Sequence, residues 1–272
     1  MIAAVATLGG VAFILALGLG LASRIFAVEQ DPKVSAIISL LPGANCGGCG
    51  YAGCAGFAQA LVAGQAVPLD CKASSDAAIQ EISKILGIVY VPKEKMIAKL
   101  FCQGGNDKAK VKYLYQGIRD CRAAVLLGGG AKACAYGCLG FGSCVKACPF
   151  GAISMGPEGL PKINENACTG CGACTRACPK GVIQLIPARQ MWYIPCNSRQ
   201  RGKAVRQVCD VGCLACGLCV KSCPEQAITL DDNRALIDPQ RCSGCGICAE
   251  RCPQKIIQSP GEMKEVSAVS KG

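Results

Sequence analysis

Cysteine is the side chain here with both the numbers and the spacing to do chemistry. The run Cys168-x2-Cys171-x2-Cys174-x3-Cys178-Pro179 recurs as Cys213-x2-Cys216-x2-Cys219-x3-Cys223-Pro224 and as Cys242-x2-Cys245-x2-Cys248-x3-Cys252-Pro253. Such runs hold [4Fe-4S] clusters in pairs: three cysteines bind one cluster and the cysteine before proline ligates the other. The chemistry is one-electron transfer, with no bond made or broken in the polypeptide. A zinc-thiolate scaffold or interaction protein is the competing reading, but closed zinc sites favour local Cys-x2-Cys pairs. A brown protein bleached by dithionite excludes zinc, whereas a colourless one holding stoichiometric zinc establishes it.

The exchange of the fourth ligand sets the expected sites. In the last two runs, Cys213, Cys216 and Cys219 pair with Cys252, and Cys242, Cys245 and Cys248 pair with Cys223. Upstream, Cys168, Cys171 and Cys174 pair with Cys148. The partner half is irregular, Cys134-x3-Cys138-x5-Cys144-x3-Cys148-Pro149, so Cys134, Cys138 and Cys144 are expected to share a cluster with Cys178. Nearer the N-terminus stand Cys46, Cys49 and Cys54, with Cys71 after a further sixteen residues. Glycines at 43, 47, 48, 50 and 53 let that backbone wrap closely and aim amides at sulfur. Four cysteines are left over, Cys102, Cys121, Cys196 and Cys209, two on each side of the first paired module. They are either free buried thiols or the ligands of a sixth cluster.

The elements that must position these sulfurs are short. AGFAQALVAG after Cys54 reads as a helix, and SSDAAIQEISKILG as another, capped by Ser75, striped by Ile79, Ile82, Ile85 and Leu86, and closed by Gly87. GIVYVPKEKMIAKLF adds a strand and a helix or second strand. Each cluster half is a short helix carrying the Cys-Pro, plus a short strand. Aromatics make up only 5% of the chain, so the cores are expected to be small and crosslinked through metal.

Composition removes other chemistries. With no His among 272 residues, His-ligated zinc or haem and Ser-His-Asp or Cys-His nucleophiles are excluded. Disulfide scaffolds this rich in cysteine are usually far shorter. No glycine-rich loop stands in the strand, helix and acid order that a dinucleotide needs, so neither NAD nor flavin is expected on this chain. The net charge of +11 offsets the negative charge of bound clusters rather than marking a nucleic-acid partner. Arg199, Arg201, Lys203 and Arg206 form either a solvated loop or a docking patch for an acidic electron donor.

From Ile2 to Ser23 the chain carries no charge over 22 residues, long enough for a transmembrane helix. It lacks the basic start of a cleavable signal. Arg24 and Lys33 follow it, which places the body of the chain on the cytoplasmic side. The expected class is α+β, in eight parts. A transmembrane anchor at 1–24 and a linker at 25–34 precede a [4Fe-4S] domain at 35–88. A connecting segment at 89–133 leads to ferredoxin module 1 at 134–188, and a basic loop at 189–208 to ferredoxin module 2 at 209–259; a solvated tail fills 260–272.

An anchor, a Cys-x2-Cys-x4-Cys-x16-Cys domain and two ferredoxin modules, in that order, resemble the B subunit of the Rnf (Rsx) electron transport complex. The resemblance runs through ANCGGCGYAGC at 44–54, CAYGCLGFGSCVKACPFGAI at 134–153 and PCNSRQRGKAVRQVCDVGCLACGLCVKSCP at 195–224. Some relatives carry one ferredoxin module; this chain resembles the longer form with two. The resemblance implies an electron-transfer subunit of a translocase-type oxidoreductase in the inner membrane, crossing it once. Its partners would be the other Rnf subunits and soluble ferredoxin as donor, its cofactors five or six [4Fe-4S] clusters. The nearest alternative is an electron-transfer subunit of another membrane dehydrogenase or hydrogenase.

Overall fold

The structure, a computed structural model, describes residues 2–25, 31–90, 92 and 94–259, with side chains from Gly9 onward apart from that of Ile25. The expected tail at 260–272 and the linker residues 26–30 lie outside the described residues. The uncharged N-terminal run folds as a single helix, α1 (Ile2–Ile25). Among the described residues no helix is long and apolar enough to cross a membrane; the described side chains of α1 run from Gly9 to Arg24.

Three helices make the first domain: α2 (Pro32–Leu40), α3 (Gly53–Val62) and α4 (Asp76–Leu86). α4 starts where the Ser75 hydroxyl accepts from the Ala78 amide, and stops at Gly87, whose φ of 69° only glycine adopts at little cost. Its apolar stripe turns Ile79 and Ile82 inward, where Ile82 joins Ile37, Phe57 and Leu61 in one core. Ile85 and Leu86 sit at the margin of that core, partly buried.

Beyond it the chain repeats a small motif. β1 (Met96–Leu100) is followed by α5 (Cys121–Leu126), α6 (Ser143–Lys146), β2 (Ile153–Met155), β3 (Pro161–Ile163), α7 (Ala173–Ala177) and β4 (Ile183–Pro187). After α8 (Lys203–Val208) come α9 (Leu218–Ser222), β5 (Ile228–Asp231), β6 (Arg234–Ile237) and α10 (Ile247–Arg251). β2 pairs with β3 and β5 with β6 as antiparallel hairpins, while α6 packs on α7 and α9 on α10. The third cysteine of each half lies in its helix: Cys144 in α6, Cys174 in α7, Cys219 in α9 and Cys248 in α10.

Each module also recruits a segment from upstream, a strand in one and a single bridge in the other. β1 runs antiparallel to β4 with Ala98 opposite Leu185, and Tyr193 exchanges two backbone hydrogen bonds with Gln258. Both segments begin before the boundaries expected from cysteine spacing, because backbone pairing, not ligation, recruits them. The cores are small, as the composition implies. Ala98, Ile153 and Ile183 pack with Cys144 and Cys174 in one module, and Ile194, Ile228 and Ile237 with Cys248 in the other.

Candidate iron-sulfur centres

The cysteines gather around five cavities and one further cluster of side chains. Cys46, Cys49, Cys54 and Cys71 line a space of about 360 Å³ in the first domain. Cys148, Cys168, Cys171 and Cys174 line one of about 300 Å³ in module 1, and Cys213, Cys216, Cys219 and Cys252 one of about 400 Å³ in module 2. Cys223, Cys242 and Cys245 lie close enough to Cys248 to raise its thiol pKa electrostatically. These four sets are the ones the spacing predicts, and they are called sites 1, 3, 4 and 5 below. Among the described residues no three His, Cys, Asp or Glu side chains converge closely enough to hold a single metal ion.

At the other two sites the structure exchanges two cysteines. A cavity of about 360 Å³ in module 1 is lined by Cys138, Cys144 and Cys178 together with Cys121, not Cys134. A cavity of about 410 Å³ between the modules is lined by Cys102, Cys196 and Cys209 together with Cys134, not Cys121. These are sites 2 and 6.

The reason lies in the loop before α6. Counted back from Cys148 at the spacing of the regular runs, Cys144 and Cys138 hold the third and first places and Phe141 holds the second. Phe141 is flanked by Gly140 and Gly142 at φ 82° and 72°, as Cys171 is by Gly170 and Gly172 at φ 68° and 75°. The backbone is therefore that of the regular loop, with an aromatic ring in place of a thiol; the ring packs 5.0 Å from that of Tyr115. Cys121 fills the gap from outside the module. Its amide donates to the Ser143 hydroxyl at 2.8 Å, and that hydroxyl donates to Asp120 at 2.7 Å, tying the start of α5 to α6. Hydrogen bonds from Ser143, Ala123 and Arg122 hold the Asp120 carboxyl below its usual pKa.

Cys134 is drawn the other way by backbone pairing. The Ala133 amide donates to the Lys110 carbonyl at 2.7 Å, and the Lys110 amide to the Val208 carbonyl at 3.0 Å. Segment 108–112 thus lies between 131–133 and 208–210, bringing Cys134 beside Cys209. The exchanged pair has a signal in the sequence, because Phe141 stands at a ligand position.

The sites are shaped for a bulky sulfur-bound group. A Cβ on Gly104 would lie 3.3 Å from the Cys209 sulfur and 3.7 Å from that of Cys102, so side chains are kept off site 6. Backbone amides point at sulfur: Ala98 at Cys168 (3.4 Å), Ala227 at Cys223 (3.3 Å), Cys138 at Cys102 and Cys213 at Cys196 (both 3.4 Å). Such bonds stabilise thiolate charge and tune a bound cluster. Burial pushes the thiols of Cys138, Cys174 and Cys196 up to about 12, and those of Cys144, Cys219 and Cys248 to about 11. Each must lose its proton to become a ligand, so loading the sites with iron releases protons.

The basic stretch is only partly free. Arg199 pairs with Asp232, whereas Arg201, Lys203 and Arg206 are exposed around α8, which is pinned by buried Val205.

Tetracysteine cavities in tandem ferredoxin-type halves define an iron-sulfur electron-transfer protein. Comparison with known proteins narrows this. Residues 41–73 match the family model of an Fe-S cluster domain, and residues 130–182 and 212–256 match the 4Fe-4S dicluster domain. The chain is 47% identical, over 89% of its length and 85% of the relative's, to the B subunit of the proton-translocating ferredoxin:NAD(+) oxidoreductase complex of Clostridium ljungdahlii. It is 42% identical to the B subunit of the ion-translocating oxidoreductase complex of Methanosarcina acetivorans, over 89% of this chain and 92% of that one. Identity to the B subunit of the Na(+)-translocating ferredoxin:NAD(+) oxidoreductase complex of Acetobacterium woodii is 39%, covering 88% and 72%. The chain belongs to this family, the B subunits of the Rnf complex, and is an iron-sulfur electron-transfer subunit.

Proposed function

We propose that this chain holds six [4Fe-4S] clusters in a single line and relays electrons from reduced soluble ferredoxin towards membrane partners in the complex. The ligands are Cys46, Cys49, Cys54 and Cys71 at site 1, and Cys121, Cys138, Cys144 and Cys178 at site 2. Site 3 takes Cys148, Cys168, Cys171 and Cys174; site 4 takes Cys213, Cys216, Cys219 and Cys252. Site 5 takes Cys223, Cys242, Cys245 and Cys248, and site 6 takes Cys102, Cys134, Cys196 and Cys209. Each cluster, when bound, takes up and gives back one electron without moving a proton.

One observation carries this reading: every site touches the next through protein groups of the ligand loops. Cys171 of site 3 also lines the cavity of site 1. Cys174 of site 3 is close enough to Cys144 of site 2 for each charge to be felt. The Cys138 amide of site 2 donates to a sulfur of site 6, and the Cys213 amide of site 4 to another. Sites 4 and 5 share the packed helices α9 and α10. The order along the line is 1, 3, 2, 6, 4, 5, so site 6 joins the two modules. The relatives' names supply the donor and the acceptor couple, ferredoxin and NAD+; the dinucleotide is handled elsewhere in the complex.

Metal and sulfide analysis of anaerobically purified protein, with EPR of its reduced state, tests the reading. About 24 Fe per chain is expected, with spectra of interacting [4Fe-4S] centres. Stoichiometric zinc in a colourless protein would sink it, and about 20 Fe, unchanged by Cys196→Ser, would remove site 6 alone.

The N-terminal helix serves as the membrane anchor, with the iron-sulfur body on the cytoplasmic side. Support comes from the uncharged run Ile2–Ser23, and from Phe13, Ile14 and Leu19, which α1 leaves exposed. Deleting residues 1–25 is expected to move the chain from the membrane to the soluble fraction with its iron intact; retention on membranes lacking the other subunits would refute the anchor.

A further inference from the structure

Between β1 and α6 the chain builds an apolar platform that no cluster site uses. Leu114, Ile118 and Leu126 are 87%, 75% and 83% exposed, with Leu127 beside them at 56%. Aliphatic side chains grouped this way on a surface usually await a partner. The platform is an ordered part of the fold. Tyr113 hydroxyl donates to the Leu127 carbonyl, Tyr115 hydroxyl to the Ile118 carbonyl at 3.0 Å, and the Lys112 amide to the Ala131 carbonyl at 2.7 Å.

Its rim is basic. Lys110, Lys112, Arg119 and Arg122 are all exposed. The two acids in segment 106–132 are engaged: Asp107 pairs with Lys108, and Asp120 caps α5 while accepting from Ser143. An apolar centre inside a charged rim is the anatomy of a protein interface, and this charge selects an acidic partner.

The platform also shares a helix with a redox site. α5 begins at Cys121, the ligand that replaces the thiol missing at Phe141, and ends five residues later at Leu126. The module thus takes one site 2 ligand from the segment that presents the apolar surface.

We propose that this platform docks an acidic, low-potential iron-sulfur carrier protein and that its electron enters the chain at site 2. The proposal rests on the reading of soluble ferredoxin as donor. One electron leaves the reduced carrier, which is oxidised, and site 2 is reduced by that electron; no bond or proton changes hands. Entry at site 2 places the carrier near the middle of the line rather than at its end.

The test is stopped-flow reduction of the full-length, cluster-loaded protein in detergent by a reduced acidic 2[4Fe-4S] ferredoxin, across a range of salt. Wild-type rates are expected to fall as salt rises. The double variant Leu114→Glu/Leu126→Glu should slow second-order reduction by about tenfold or more, and Lys112→Glu/Arg119→Glu should flatten the salt dependence. Iron content and reduction by dithionite should not change in either. Reversing Arg201 and Lys203 should leave the rate unchanged. Platform variants that react at the wild-type rate overturn the proposal, as do variants that lose only their binding to anionic phospholipid vesicles, which would make the platform a membrane contact. A wild-type chain that ferredoxin cannot reduce overturns the donor reading itself, and the docking proposal with it.

Discussion

Cys121→Ser should abolish the same centre as Cys138→Ser, costing about four irons per chain, while Cys134→Ser should abolish the centre lost in Cys196→Ser. The prediction separates two ligand sets that spacing alone cannot. If the irregular half closed on its nearest cysteines, Cys134 and Cys138 would fall together and Cys121 would fall with Cys196. The structure groups them differently: Cys121 lines the cavity with Cys138, Cys144 and Cys178, and Cys134 lines the other. EPR of the four single variants distinguishes the two, because each pair should lose one identical signal and the double variant within a pair should lose no more than either single.

A rescue makes the case stricter. Residue 141 lies between two residues of positive φ, as do Cys171, Cys216 and Cys245, the last two flanked by residues at φ 51° and 73°, and 79° and 77°. A thiol placed at 141 would therefore start from the backbone that aims the other three. Phe141→Cys in the Cys121→Ser background is expected to restore the lost irons and signal. An intact site 2 in Cys121→Ser alone would mean that another residue closes the cavity, and persistent loss in the double variant would mean that the loop does not aim residue 141 at it.

What the sequence made legible, and what it hid, follow from the range of the forces involved. The regular runs were readable because their ligands are local: three thiolates in seven residues and a fourth four residues on leave little freedom. The pairing of halves was readable too, since α6 packs on α7 and α9 on α10. The first domain was readable because Ser75, Gly87 and the isoleucine stripe are local signals for a helix and its inner face. Cys121 and Cys134 are placed by spacing in each other's sites, since each reaches its cavity through contacts distant in sequence: Ser143 for one, and the pairing of 108–112 with 131–133 and 208–210 for the other. The pairing of β1 escaped for the same reason. β1 finds β4 across the whole of module 1, and no spacing rule counts across that distance.

Gly48→Val should slow electron transfer between module 1 and the first domain without removing any iron. Gly48 lies where the loop of site 1 meets the loop of site 3. A Cβ there would come within 2.9 Å of the Cys171 carbonyl oxygen and 3.5 Å of the Cys46 sulfur. The first contact is closer than real Cβ atoms tolerate, and it is with backbone, so a rotamer change cannot relieve it. Valine adds two methyls to that clash, and the loops must part. The first domain keeps its own core of Ile37, Phe57, Leu61 and Ile82, and all four site 1 cysteines lie within it, so site 1 should stay loaded. What changes is distance, and electron transfer between the two centres slows as the gap between their ligand loops widens. Freeze-quench EPR after mixing with reduced ferredoxin should show sites 3 and 2 reduced at the wild-type rate and site 1 lagging, while dithionite reduces all sites in time. If site 1 fills as fast as in wild type, electrons do not reach the first domain through the Gly48–Cys171 contact, and the line must join it elsewhere.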